Sequence, residues 1–180
     1  MKLLRTIRLD TSDTFVFETA AEPGEWAVSG SFAFARGGDP AALHGKARTA
    51  FRAGLLGVSS FGWSTLAQIV EASEQDRETV VDMLARQLVA RFGAPDLAAA
   101  RLAAEDELAF TASLCDHPPG VLIAVSRSLE NGAIREAFRT LRPRAGATTH
   151  RAFEFYDVVG EDESPEEHVD LLKLPNGDRS

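Results

Sequence analysis

One cysteine, one tyrosine, two tryptophans and four histidines are all that this 180-residue chain holds of those types. The lone Cys115 excludes an intramolecular disulfide, which fits a reducing compartment. There is no G-x-x-x-x-G-K-[ST], no G-x-G-x-x-G and no G-x-S-x-G. A phosphate loop, a dinucleotide fingerprint and a nucleophile elbow therefore find no support. Long apolar runs are missing too. The longest uncharged stretch, residues 53–70, is interrupted by Gly54, Gly57, Gly62, Ser59, Ser60 and Ser64, which makes it too polar to cross a membrane. The first ten residues carry Lys2, Arg5, Arg8 and Asp10 where a secretory signal needs an apolar core. Basic excess is absent, since the formal net charge is −8, so a nucleic-acid partner is not expected. The expectation is a cytoplasmic protein with no membrane contact and no cofactor.

What is there suits an ordinary globular chain. It is 44% hydrophobic and 26% charged, and its length corresponds to one domain. Charge is unevenly spread. Residues 160–180 hold seven acidic against two basic residues, a net −5. The reading is one α+β domain over 1–159 and an acidic, loosely ordered tail over 160–180.

Patterning gives the order βββαβααβαβ. Residues 3–9 and 14–18 read as strands joined by the turn-forming DTSD, and 26–34 alternates as a third. Asp39 and Pro40 open a helix that Gly54 closes. Residues 64–71 read as a strand. Ser73 and Asp76 then form a weak capping box for a helix that Gly93 stops, and Pro95 opens the next one. Residues 121–125 form a short buried strand. Asn131–Gly132 begins a helix carrying Ile134, Phe138 and Leu141, and residues 151–159 close the body as a strand. Strands cluster too much at the front for a doubly wound parallel fold. The fold class is therefore α+β, a mixed or antiparallel sheet with helices mainly on one face.

Four features carry candidate chemistry. Cys115, Asp116 and His117 are all metal-ligating types at a helix end. Cys115 and His117 are the candidate ligands, though a zinc site wants three or four. The alternative is a buried thiol at a helix terminus, where the dipole disfavours a thiolate. Ser59, Ser60, Phe61 and Trp63 lie in a Gly-, Ser- and aromatic-rich segment, the kind that lets backbone approach a ligand while a ring stacks on it. The alternative is a connection with Phe61 and Trp63 in the core. His44, Lys46, Arg48 and Arg52 form a basic helix face. It is either a solvated surface or a docking face, with Arg48 and Arg52 as the contact residues, for an acidic partner or for the protein's own acidic tail. In the tail, Val169, Leu171 and Leu172 stand among acids, so a partner, a second copy or the protein's own body can cover them. Glu105, Asp106 and Glu107 read as a solvated helix face, since helix neighbours diverge.

The opening MKLLRTIRLD and the runs GVSSFGWSTL, RFGAPDLAAAR, CDHPPG and IREAFRTLRP resemble a family of small bacterial proteins of unknown function, over most of residues 1–145. The resemblance brings no reaction and no catalytic residue. It implies genes that lie near those for formate-dehydrogenase-type molybdoenzymes and lipoate-ligase-like proteins, and so an accessory role in molybdoenzyme or lipoate-related maturation. Two functional readings follow. The first is a non-enzymatic accessory protein that binds a protein partner or self-associates. The second is a small-molecule-binding protein or enzyme with a cleft near residues 59–63, Cys115 and His117.

Overall fold

Two adjacent leucines show why the first strand sits mid-sheet. Successive side chains of a strand point to opposite faces, and in β1 (Lys2–Ile7) both Leu3 and Leu4 are buried. The strand therefore has core on both sides. The computed structural model describes residues 1–35, 38–143 and 156–159. Its other strands are β2 (Trp26–Val28), β3 (Leu55–Gly57), β4 (Trp63–Ser64), β5 (Leu66–Glu71), β6 (Leu122–Glu130), β7 (Ala133–Pro143) and β8 (Tyr156–Val159). They form one eight-stranded sheet in the order β4-β3-β2-β1-β5-β6-β7-β8. Every neighbouring pair is antiparallel. The α+β class and the antiparallel sheet stand as expected.

Two long helices, α4 (Glu74–Phe92) and α5 (Leu97–Ser113), pack over one face. The chain turns between them at Gly93, which adopts the left-handed conformation with φ of 63°. They run antiparallel, with Arg101 reaching back to Asp82 and Glu78. Ser73 and Asp76 form the full capping box. Val80, Val81, Leu84 and Leu88 of α4 meet Ala100, Ala104 and Leu108 of α5 above Leu3, Trp26, Val28 and Leu56 of the sheet. Each large side chain so buried contributes roughly 1.5–3 kcal/mol. Leu4, Ala27, Leu55, Ala67, Ile69, Val121, Ile123, Val125 and Cys115 form the second cluster. The sheet is strongly curled. Ser29, just past β2, hydrogen-bonds Glu136 on β7, although β1, β5 and β6 lie between those strands.

Several elements differ from the sequence reading. Residues 14–18 are not a strand. Helix α1 (Ser12–Val16) stands there, started by Asp10 accepting from the Ser12 amide. Asp13 turns inward to bind Ser64 and Thr65, which a solvent-facing hairpin would not allow. The third strand stops at Val28. Gly30 takes φ of 81°, and Phe32–Ala35 forms a single turn, α2. Asp39 does cap, accepting from Ala41 N, but only for a 3-10 turn over Pro40–Ala42. Leu43 is extended, and α3 starts afresh as Gly45–Ala53. Strand β3 lies where a bare connection was read.

The largest difference is β7. Asn131 and Gly132 both have positive φ, 50° and 79°, which is the backbone of a two-residue hairpin turn. It joins β6 to β7 in continuous register from Glu130–Ala133 to Leu122–Leu141. The spacing of four between Ile134 and Phe138 is also twice the strand period, so both templates fit it. Of the closing strand read over 151–159, residues 156–159 are β8, and 151–155 lie outside the described residues. The proposed tail, 160–180, also lies outside them.

Candidate functional site

The inner side of the curl holds charge. On β6, Ile123, Val125 and Arg127 alternate inward, and the Arg127 side chain is 0% exposed. Its Nε donates to Glu136 Oε1 at 2.7 Å. One terminal nitrogen donates to the carbonyls of Phe51 and Gly54, at 3.2 and 2.6 Å. The other donates to the carbonyl and hydroxyl of Ser29. All five guanidinium N–H groups are thereby spent. One side chain ties β2, the end of α3, β6 and β7 together. Burial pulls the Arg127 guanidinium below its ordinary pKa, while Glu136 and Glu107 oppose that shift.

Glu107 is the second carboxylate of this hub. It sits on α5 one turn beyond Ala104, and its Oε1 accepts from Gly30 N at 2.9 Å. Thr111, one turn further along, accepts from Ser29 N. Burial holds the Glu107 carboxyl above the usual carboxylate range, and nearby Glu136 adds to this. The Gly30 N–H and Arg127 pull the other way. The sequence reading placed Glu107 on a solvated face with Glu105 and Asp106. Its neighbour Glu105 does lie outward, within 3.8 Å of Arg101. The signal for Glu107 is its place among Ala100, Ala104, Leu108 and Thr111, all buried.

Two cavities adjoin the hub, and Phe32 lines both. One, of about 580 Å³, is bordered by Ser31, Phe34, Asp39, Leu129, Ile134 and Glu136. The other, of about 350 Å³, lies between α4 and α5 and ends at Glu107.

The 59–63 segment supports these walls from behind. Phe61 packs near Phe32 and Phe92, with ring centroids 6.4 and 5.8 Å apart. Trp63 stacks on Phe34 at 4.9 Å. The turn does cradle an anion, but that anion belongs to the chain. The amides of Ser59 and Ser60 donate to Glu25 Oε2 at 2.7 and 2.8 Å, and the Ser60 hydroxyl donates to Oε1. Glu22 N adds a fourth donor. Gly57 makes room for this carboxylate, because a Cβ there would lie inside van der Waals distance of it.

Cys115 and His117 follow α5. Cys115 is buried, and its thiol donates to the Thr111 carbonyl at 3.4 Å. Burial pushes that thiol up to about 11, against a small opposing effect of Lys2. The His117 carbonyl accepts from Lys2 Nζ at 2.8 Å. Among the described residues no group of three or more His, Cys, Asp or Glu is placed to hold a metal ion. On α3, Ala50 and Phe51 face inward, while His44, Lys46, Arg48 and Arg52 are all exposed. Val169, Leu171 and Leu172 lie outside the described residues.

The fold and hub define a small α+β protein organised around a buried guanidinium and two carboxylates, with no helix among the described residues long and apolar enough to cross a membrane. The chain belongs to DUF6505, a family of unknown function, whose match spans residues 1–155. No curated protein and no solved structure matches it.

Proposed function

We propose that this protein acts by binding rather than by catalysis, as a cytoplasmic accessory protein that presents a basic helix face to an acidic partner. The observation that carries this reading is on α3. His44, Lys46, Arg48 and Arg52 are exposed, and none makes an ion pair with a described residue. Three cationic side chains without an ion-pair partner among the described residues, with His44 at the cap beside them, are gathered on one nine-residue helix of a chain of net charge −8. Such a patch steers an acidic surface and fixes its orientation. The polar groups best suited to chemistry are engaged internally: Arg127 by five bonds, Glu25 by its turn, Cys115 by its burial. A thiol held that high is a weak nucleophile at neutral pH.

The resemblance supports maturation of a molybdoenzyme or a lipoate-dependent system as the setting. The tail residues Val169, Leu171 and Leu172 would extend the contact. The test compares full-length protein, a chain ending at Gly160 and Arg48→Glu/Arg52→Glu as baits, followed by affinity measurement with the purified partner. The reading expects a partner whose affinity falls with salt and is lost on charge reversal. A partner held equally by the charge-reversed protein would sink it. Loss on truncation alone would move the contact to the tail.

A further inference from the structure

We propose that the cleft between α4 and α5 is a binding site for a small aliphatic ammonium ion. Its chain would lie among Leu84, Leu88, Phe92 and Ala103, and its charged head would meet Glu107. This site is separate from the α3 surface, and neither proposal depends on the other.

Three observations converge on it. First, the cleft is of a size and character used for small ligands, about 350 Å³ with a mostly apolar lining. Phe32, Leu84, Leu88, Phe92 and Ala100 supply the wall, and Glu107 is the one ionisable group among the lining residues. Second, among the described residues the hub is short of positive charge, with two carboxylates, Glu136 and Glu107, against one guanidinium. Arg127 spends its N–H groups on Glu136, Ser29, Phe51 and Gly54, and gives none to Glu107. Third, the one hydrogen bond that Glu107 makes with a described residue is from Gly30 N to Oε1. A carboxylate ending an apolar cleft with a single neutral donor is poorly compensated. An ammonium group supplies both the missing charge and further donors, while its alkyl chain lies against the apolar lining.

The commitment to a cation distinguishes this site from a general apolar hole. A neutral alcohol of the same length fills the same space without answering the charge. A carboxylate would add a third negative group to the hub.

The test is calorimetric titration of the full chain with n-hexylammonium chloride, 1-hexanol and sodium hexanoate. Saturable binding of hexylammonium is expected, at least about tenfold tighter than hexanol. Glu107→Gln keeps the acceptor for Gly30 N and removes the charge, so it should reduce hexylammonium binding by a similar factor and leave hexanol unchanged. Ala103→Leu stands at an exposed position and narrows the cleft without touching the hub, so it should weaken both. Circular dichroism confirms that each variant is folded. The proposal is overturned by any of four results: no saturable binding to the wild type, hexanol or hexanoate binding as tightly as the amine, Glu107→Gln binding the amine as well as wild type, or Ala103→Leu binding unchanged.

Discussion

Arg127 and Ser29 are 98 positions apart in the chain, yet the guanidinium of one donates to both the carbonyl and the hydroxyl of the other. Ser29 in turn donates its hydroxyl to Glu136 at 2.6 Å. This contact bridges the curl of the sheet, because Ser29 follows β2 and Arg127 lies on β6, three places away in the strand order.

Removing the guanidinium should therefore cost more than an average core substitution. Arg127→Met leaves the half-buried Glu136 without its ionic partner and the carbonyls of Ser29, Phe51 and Gly54 without the guanidinium donors. Breaking a buried pair from one side typically costs about 3–5 kcal/mol. Urea unfolding followed by circular dichroism should show the midpoint falling by that equivalent. A loss below about 1 kcal/mol would mean that water replaces the guanidinium without strain.

Glu107 sets a pH dependence of stability. Its folded pKa is raised, by burial first and by Glu136 second. A raised carboxyl favours the folded state while it is protonated in both states. That contribution is lost as pH climbs from the ordinary glutamate value, about 4.3, through the folded value. The difference in unfolding free energy between wild type and Glu107→Gln should therefore fall over that window and flatten above it. A flat difference from pH 4 to 8 would place Glu107 in water.

Gly57→Ala tests the turn around Glu25. The added methyl would meet the Glu25 carboxylate and displace it from the Ser59 and Ser60 amides. Stability should drop by about 1–3 kcal/mol, the cost of unsatisfied buried groups. Hydrogen exchange at those two amides should rise more than at the α4 amides. Equal change everywhere would indicate a global rather than a local effect.

Cys115 should be silent to thiol reagents in the native state. A buried thiol pushed up to about 11 is protonated and shielded at pH 7.5. One equivalent should react in 6 M guanidinium chloride and almost none without it. Rapid native reaction would contradict the burial.

Helix α4 was legible because each of its signals is local: the Ser73–Asp76 box, the 80-81-84-88 stripe and Gly93. The turn after β6 was ambiguous because a spacing of four satisfies both periods. Asn131–Gly132, a hairpin signature, was the feature that decides it. The Ser59–Trp63 segment reads as one that lets backbone approach a ligand while a ring stacks, and nothing in that pattern singles out an anion. Its occupant, Glu25, lies 34 positions away from Ser59, and no local pattern reaches that far. Arg127 carried a clue, a charge in phase with Ile123 and Val125 on an inward face. Glu136 carried none while it was placed on a helix.

The outer strand β4 is only two residues long, and its far side is already taken. Trp63 N donates to the Thr19 carbonyl and its own carbonyl accepts from Ala21 N, both at 2.9 Å, so the 19–21 stretch runs alongside it in parallel. A sheet with such a sealed margin offers no template there for edge-to-edge aggregation. Among the described residues, β8 is the other outermost strand of the sheet.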